Sequence, residues 1–298
     1  MTPAARPMRP WAFVTVAVCC ALPLCAQQGP FRGRTDLVSV YATVTDRNGR
    51  LVTDLARDDF EVRDNGKLQK IVYFSSDLQP ITGIVMLDRS FSMLDNFPLV
   101  EGATEQFIGK LMPADRIRIG DFSRRIVLNP SDFTSRQEEL LDIVHHGLQD
   151  FGPSPVWTAI DRSITALLGQ EGRRVILVFT DGHNTMVEGQ IATDLKDVAR
   201  RAMIDEVMVY AIGLWQNHEK PDAGLRILAE QSGGGYFELD WTQNLGATFS
   251  RVADELHRQY GLAFAPAKLD GEIHRLDVKT TRPGLVIRTR KSYVAEAR

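Results

Sequence analysis

The central part of the chain alternates short, fully apolar runs with longer segments whose apolar positions recur at helical spacing. The first pattern predicts buried strands and the second predicts amphipathic helices. The predicted strands cover residues 82–88, 116–122, 174–180 and 206–213, with one more near Tyr236 and a short antiparallel one at 125–128. The predicted helices cover residues 98–111, 136–148, 155–168, 192–203, 222–231 and 243–259. This alternation predicts an α/β fold with a doubly wound, mostly parallel sheet.

The segments on either side of this region alternate apolar and polar positions with the two-residue period of half-buried strands. Before it, residues 38–44 form one such strand, and the Asn65-Gly66 turn predicts a hairpin between strands at 60–62 and 70–74. After it, strands are predicted at 260–264, 274–280 and 285–293. Because so few strands are marginal on their own, we expect both sets to pack into one small β-sandwich-like unit.

The N-terminus has the composition of a secretory signal peptide. Arg6 and Arg9 precede an apolar stretch at 11–24, and a small residue, Ala26, ends the segment. The stretch is short for a membrane span. We therefore expect a secreted or periplasmic protein with no transmembrane segment after cleavage behind Ala26. An uncleaved anchor helix and lipid anchoring at Cys25 are the alternatives.

The predicted organisation is a signal peptide at 1–26, an N-terminal β unit at 27–78, an α/β domain at 79–259 and C-terminal strands at 260–298. All three cysteines lie in the signal peptide. The mature protein would therefore have no disulfide, no thiol nucleophile and no cysteine-based zinc site.

The charge balance argues against a polyanionic partner. The 35 basic and 38 acidic side chains give a net charge of −3, which removal of Arg6 and Arg9 brings to −5. No stripe of basic residues with interleaved aromatics is present in the sequence, so nucleic-acid binding is not expected.

Candidate chemistry lies where two of the predicted buried strands end. The first runs into Asp88-x-Ser90-x-Ser92, and the second runs into Thr180-Asp181. Open α/β sheets bind their ligands at the carboxyl edge of the strands, so these side chains are expected to meet there. Carboxylate and hydroxyl oxygens suit a hard divalent cation such as Mg²⁺.

This constellation resembles the metal-ion-dependent adhesion site of von Willebrand factor A domains, and the resemblance covers roughly residues 80–260. The flanks are similar to the bacterial VWFA-related proteins of acidobacterial type. The resemblance implies that Asp88, Ser90 and Ser92 form the first metal loop and that Asp181 belongs to the third. It also implies a bound Mg²⁺, or Mn²⁺ or Ca²⁺, that accepts a Glu or Asp carboxylate from a protein partner. The implied function is that of an exported, non-enzymatic binding or adhesion module.

The second metal loop departs from the family pattern. The family usually has Gly-Gly-Thr before a helix, whereas this chain has Gly152-Pro153-Ser154. Ser154 falls on the position of the threonine ligand and keeps its hydroxyl. Two alternatives stay open: Ser154 is only the N-cap of the next helix, or Thr158, about one turn further on, binds the metal instead.

Two other function classes compete with metal-dependent adhesion. One is a degenerate, metal-free interaction module, which the change to Ser154 makes worth keeping. The other is a Mg²⁺-dependent phosphoryl-transfer enzyme with Asp88 as nucleophile. That chemistry usually needs a second acid two residues on, where Ser90 stands. No Gly-x-Ser-x-Gly elbow or His-Glu-x-x-His motif is present in the sequence.

Several other residues receive plainer interpretations. Asp88 and Asp181 each have a turn or capping role as the structural alternative, and Asp121 is expected to have such a role rather than to bind metal. His145 and His146 are expected at surface or partly packed positions, and His183 is expected in a loop. Trp157 is expected to pack in the core. The charged residues of the tail are expected to protect an edge strand from aggregation; they are Arg288, Arg290 and Lys291.

Overall fold

The computed structural model describes residues 37–185, 193–215, 219–240 and 245–296. The predicted signal peptide and all three cysteines lie outside these residues. Within the part of the chain that is described, no helix is long and apolar enough to cross a membrane.

The strands and helices alternate through the middle of the chain, as the apolar pattern predicts. The strands are β1 Val38–Thr45, β2 Phe60–Asp64, β3 Lys67–Gln69, β4 Ile71–Ser75, β5 Ile81–Asp88, β6 Arg116–Phe122, β7 Ile126–Thr134, β8 Arg173–Thr180, β9 Val207–Leu214, β10 Tyr236–Leu239, β11 Tyr260–Phe264, β12 Ile273–Thr280, β13 Val286–Arg288 and β14 Ser292–Val294. The helices are α1 Phe97–Ile108, α2 Gln137–His146, α3 Val156–Leu167, α4 Leu195–Ile204, α5 Ala223–Ser232 and α6 Leu245–His257.

The central sheet has the strand order β10-β9-β8-β5-β6-β7. Five of its strands are parallel, and only the edge strand β7 runs antiparallel to its neighbour β6. Strands β5, β8 and β9 lie in the middle, and nearly all of their residues are buried. Both faces of a parallel sheet are covered by helices, which explains why these strands are continuous apolar runs.

Helices cover both faces of this sheet and divide the core in two. On one face, Val85 and Leu87 of β5 pack with residues of α1, α2 and α6 such as Phe107 and Phe249. On the other face, Ile84 and Met86 pack with α3, α4 and α5. The alternation of β5 side chains between the two clusters is the two-residue period of a strand buried on both sides. The doubly wound α/β fold is therefore confirmed.

The remaining strands form two antiparallel four-stranded sheets. Their orders are β13-β1-β11-β4 and β14-β12-β2-β3. Both contribute to one apolar cluster, in which Val40 of β1 and Leu262 of β11 meet Val62 of β2 and Leu276 of β12. The prediction that N- and C-terminal strands pack into one sandwich is confirmed.

The predicted hairpin forms with a different second strand. Asn65 and Gly66 both have positive φ, +47° and +82°, which is the geometry of a tight two-residue hairpin turn. This turn joins β2 to β3, at Lys67–Gln69, in one sheet. The stronger strand pattern that follows, Ile71–Ser75, crosses to the other sheet and pairs with β11. Pairing of 60–62 with 70–74 was wrong for that reason.

Buried ion pairs join the sandwich to the α/β layer. Arg288 donates to Glu255, a fully buried carboxylate of α6. Arg290 donates to Glu206 at 2.7 Å and to the backbone oxygen of Ser39. Protection of an edge strand is therefore the wrong interpretation for these two arginines, because their side chains are largely buried in ion pairs. Lys291 is exposed.

The chain enters and leaves the α/β layer at adjacent points. The backbone nitrogen of Gln79, before β5, donates to the backbone oxygen of His257, at the end of α6, at 3.3 Å. Two residues later Gln259 donates to the hydroxyl of Thr43 in β1 at 2.9 Å. The α/β layer is thus inserted between β4 and β11, two strands that pair with each other.

Candidate functional site

The candidate site lies at the carboxyl edge of the central sheet, between its two middle strands. Asp88 is the last residue of β5, and Thr180 is the last residue of the adjacent parallel strand β8. Leu87 pairs with Phe179, so the two chain ends leave the sheet side by side. A parallel register therefore brings the predicted first and third loops together.

Asp88 is completely buried and is the centre of the hydrogen bonding at this edge. Its Oδ1 accepts from the backbone nitrogen of Ser90 at 2.8 Å, and its Oδ2 accepts from the hydroxyl of Ser154 at 2.9 Å. Burial raises the pKa of Asp88 to about 6, and the charge of Asp181 also raises it, against the lowering effect of the hydroxyl donors.

The first loop places two serine hydroxyls beside Asp88. Ser90 is buried and Ser92 is exposed, and their Oγ atoms lie 3.1 Å apart. The loop is fixed to the second loop through Gly152, which donates to the oxygen of Arg89 at 3.0 Å and accepts from the nitrogen of Phe91 at 3.1 Å. A short parallel bridge thus holds the first and second loops in register.

Ser154 of the second loop points at Asp88 and away from the helix that follows. Helix α3 begins at Val156 with Pro155 as its N-cap, and no side chain caps it. The interpretation of Ser154 as an N-cap is therefore wrong. Its backbone is held by Thr185, whose nitrogen donates to the oxygen of Ser154 at 2.7 Å. Thr158, one turn inside α3, is half-buried.

Asp181 supplies a second buried carboxylate, and one of its oxygens is unpartnered. Its Oδ1 accepts from the backbone nitrogen of His183 at 3.0 Å. Its Oδ2 is buried and has no hydrogen-bond partner among the residues that the structure describes. Gly182 follows with a φ of +81°, and a Cβ there would lie 2.8 Å from the nitrogen of Asp222, so the turn requires glycine.

Thr180 is a member of the cluster to which the sequence analysis gave no role. Its hydroxyl donates to Oδ2 of Asp88 and accepts from the backbone nitrogen of Gly182 at 2.9 Å. The available signal was its place at the end of a buried strand directly before Asp181. A polar side chain that ends an otherwise apolar run needs a partner, and here the partner is the acid of the next strand.

The neighbouring residues agree with their plainer interpretations. Asp121 is buried at the end of β6 and accepts from the backbone nitrogen of Gln149 at 3.4 Å, so it holds a loop. Burial raises the pKa of Asp121 above its usual range. Trp157 is part of the apolar cluster under α3. His145 and His146 are exposed and contact Glu105 and Asp142.

His183 lies half-exposed at the rim of the site. Its Nδ1 is 3.5 Å from Oδ1 of Asp181, and its Nε2 is 3.8 Å from Glu219. Its position in the loop after β8 agrees with the sequence interpretation.

The chemistry of this donor set fits a hard cation held mostly by hydroxyls. Among the described residues, no group of three or more His, Cys, Asp or Glu side chains is placed to hold a metal ion. The cluster instead combines two buried carboxylates with serine and threonine hydroxyls, which are all oxygen donors of the kind that Mg²⁺, Mn²⁺ and Ca²⁺ accept. The unpartnered Oδ2 of Asp181 is the atom that most needs a positive partner.

The fold agrees with comparisons to known proteins. The chain belongs to the von Willebrand factor type A domain family, whose model matches residues 84–251. Domains of this family are commonly protein-interaction modules. No curated protein matches the chain.

One solved structure shows the same fold at low sequence identity, and two further solved structures are similar to the chain. A von Willebrand factor type A protein from Catenulispora acidiphila is 12% identical with a TM-score of 0.51, and the match covers 86% of this chain and 74% of that one. An aerotolerance-related membrane protein from Bacteroides fragilis is 18% identical, covering 59% and 98%, with a TM-score of 0.48. The ArnB paralog VWA2 from Sulfolobus acidocaldarius is 15% identical, covering 87% and 75%, with a TM-score of 0.46.

Proposed function

We propose that this protein binds a divalent cation at the Asp88–Asp181 edge and, through that ion, a carboxylate of a protein partner. The ion would be Mg²⁺, Mn²⁺ or Ca²⁺. Ser90, Ser92 and Ser154 would supply hydroxyl ligands, and the two aspartates would supply the balancing charge.

The observation that carries this proposal is the unpartnered Oδ2 of Asp181 next to the buried carboxylate of Asp88. Two carboxylates removed from water repel each other and lose their hydration, which is costly unless a cation compensates them. The hydroxyl of Ser154 donates to Asp88, and the hydroxyls of Ser90 and Ser92 lie 3.1 Å apart on the loop that follows Asp88. A divalent ion between the two aspartates would balance their negative charge and accept the serine hydroxyls as further ligands.

The ligand set also favours an acidic partner. An ion held by neutral hydroxyls, with the acids acting partly through water, keeps much of its positive charge and accepts a further oxygen ligand. Ser92 is exposed, so the site is open to solvent on the side of the first loop. A Glu or Asp side chain of another protein is the simplest anionic ligand for that open position.

The test is calorimetric titration of Mg²⁺, Mn²⁺ and Ca²⁺ into metal-stripped protein. We expect saturable binding of about one ion, lost in Asp88→Asn and Asp88→Ala. The matched control is Asp121→Asn, a buried strand-end aspartate at the same edge, which should bind like the wild type. Equal affinity in wild type and Asp88→Asn would refute the proposal.

A metal-free interaction module is the second candidate, and one observation favours it. The hydroxyls of Ser154 and Thr180 both donate to Oδ2 of Asp88, so the protein alone satisfies that oxygen. Under this alternative the titration gives no heat for any of the three ions, and the Asp88 variants change stability only.

We further propose that the protein is exported and is not an enzyme. The composition of residues 1–26 supports export, and the serine at position 90 leaves phosphoryl transfer without its second acid. Measurement of N-terminal sequence after expression in a bacterial host tests cleavage behind Ala26. Phosphatase activity that disappears in Asp88→Asn would overturn the non-enzymatic assignment.

A further inference from the structure

Two exposed phenylalanines stand side by side on the rim of the candidate site. Phe91 lies between Ser90 and Ser92 in the first loop, and Phe151 precedes Gly152 in the second. Their ring centroids are 5.1 Å apart in an edge-to-face arrangement, although the residues are 56% and 44% exposed. We call them the aromatic pair. Paired rings that remain in water next to a binding site offer apolar area to a partner.

Two exposed arginines lie next to the second loop, the loop that carries Phe151 and Gly152. Arg124 and Arg125 form the turn between β6 and β7, at the carboxyl edge of the sheet, and neither makes an ion pair with any described residue. We call them the arginine turn. A Cβ on Gly152 would lie 2.8 Å from Cγ of Arg124, so the turn is in direct contact with the second loop.

The arginine turn therefore presents two positive side chains to solvent at this edge of the sheet. The hydroxyl of Ser123, which precedes the arginine turn, donates to the backbone oxygen of Asp150 at 2.9 Å. Two acids oppose these arginines: Asp150, which is exposed, and Asp121, which is buried and interacts electrostatically with Arg125. Exposed arginines next to a cation site would repel basic segments and attract acidic ones.

We propose that the aromatic pair and the arginine turn select the partner: an acidic protein segment with a bulky apolar side chain beside the metal-seeking carboxylate. This inference rests on the proposed function and adds the chemistry of the ligand to it. The carboxylate would reach the ion, the neighbouring apolar side chain would cover Phe91 and Phe151, and further acids would lie against Arg124 and Arg125.

The geometry explains why one short segment can reach all three features. Phe91 is covalently between two candidate ligands, and Gly152 joins its loop to that of Phe151 by two backbone hydrogen bonds. The rings therefore lie on the two loops that carry Ser90, Ser92 and Ser154. An apolar residue next to the coordinating acid, or two positions from it along an extended segment, would meet the rings.

The experiment is selection from a displayed library of random short peptides on the immobilised full-length protein in excess Mn²⁺, with elution by chelation. The test variant is Phe91→Ser with Phe151→Ser. The matched control is Leu168→Ser with Ile204→Ser, which removes two similarly exposed apolar side chains at the ends of α3 and α4. A third variant, Arg124→Ser with Arg125→Ser, tests the charge.

We expect wild type and control to enrich a Glu or Asp with an aromatic or aliphatic residue within two positions and further acids nearby. The aromatic-pair variant should keep the acid, lose the apolar neighbour, and bind the wild-type consensus peptide at least about tenfold more weakly. The arginine-turn variant should lose the additional acids. An unchanged consensus from both variants, or no Mn²⁺-dependent peptides, would overturn the inference.

Calorimetry on the same preparations separates this inference from the proposed function. Mn²⁺ affinity should be the same in wild type and in the aromatic-pair variant, because neither phenylalanine supplies a ligand. If the wild type binds no ion, the proposed function fails and this inference fails with it. If it binds the ion but the consensus is unchanged in both variants, only the inference fails.

Discussion

The hydroxyl of Ser154 donates a 2.9 Å hydrogen bond to Oδ2 of Asp88, a residue that lies 66 positions earlier in the chain. Ser154 stands where the family usually has threonine. The bond shows that serine, which lacks the γ-methyl of threonine, presents its hydroxyl to the acid of the first loop. The second loop therefore remains attached to the site despite its altered sequence.

Removal of this hydroxyl should weaken both metal binding and the fold around Asp88. For Ser154→Ala we expect at least about a tenfold loss of Mg²⁺ affinity and a loss of about 1–3 kcal/mol in the free energy of unfolding, because a buried carboxylate loses a donor. Ser154→Thr keeps the hydroxyl and should retain metal affinity. Calorimetry and urea unfolding measure the two effects; equal affinities in the alanine and threonine variants would contradict the assigned role.

The raised pKa of Asp88 should make metal binding depend on pH. Burial raises the pKa of this carboxyl from 3.8 to about 6, so protons compete with the ion in the mildly acidic range. Mg²⁺ affinity should be constant well above pH 6 and should fall by up to about tenfold for each pH unit below it. Titrations across this range test the prediction, and a flat profile through pH 6 would contradict it.

The same pKa has a consequence of opposite sign for the metal-stripped protein. Because the folded-state pKa lies above the unfolded value, the contribution of Asp88 to stability is fully present below pH 3.8 and is lost as the pH rises through about 6. Its size is about 3 kcal/mol. The wild type should therefore lose stability relative to Asp88→Asn as the pH rises from acid to neutral. Chemical unfolding of both proteins across this range measures the change.

Asp181→Asn should separate charge from hydrogen bonding in the site. The change removes the carboxylate that repels Asp88, so the pKa of Asp88 should fall and the pH dependence of stability should move toward lower pH. Metal affinity should fall at least about tenfold, because half of the balancing charge is lost. The Asp121→Asn control should leave metal affinity unchanged; an equal loss of affinity in both variants would show that any buried acid at this edge has the same effect.

The ion pair between Arg288 and Glu255 should matter far more than an exposed one. Glu255 is fully buried, and after Arg288→Met its remaining ion-pair partner among the described residues would be Arg251, at 3.3 Å. We expect a loss of about 3–5 kcal/mol in the free energy of unfolding. Arg282→Met, which breaks an exposed pair with Asp54, should cost below about 1 kcal/mol. Comparable losses in chemical unfolding would contradict the structural role of the buried pair.

The alternation of apolar runs was enough to predict the central fold because every middle strand is buried on both faces. Strand β5 was predicted at 82–88 and runs from Ile81 to Asp88, and β8 was predicted at 174–180 and runs from Arg173 to Thr180. The point where each run meets its acid is also where the strand ends. Sequence could therefore place Asp88 and Asp181 at one edge.

Long-range pairing was harder to predict from sequence. The hairpin turn at Asn65 was found, but its partner strand was not, because Lys67–Gln69 is short and mostly exposed whereas Ile71–Ser75 is the stronger strand pattern. The strand with that pattern, β4, pairs with β11, which lies about 190 residues later in the chain. Similarly, the sequence around Arg288 predicts a surface charge, because its partner Glu255 lies in α6, 33 residues earlier in the chain.

Because Gln79 and His257 are hydrogen-bonded to each other, the α/β layer is an insert within the β-sandwich, whose strands β4 and β11 pair directly. The backbone enters and leaves the insert at adjacent points, and the side-chain bonds of Arg288 to Glu255 and of Arg290 to Glu206 strengthen that attachment. The loops at the carboxyl edge of the central sheet can therefore change in length without changing the strand register of the sandwich. The buried bond between Arg288 of the sandwich and Glu255 of α6 then fixes how the insert is oriented on the sandwich.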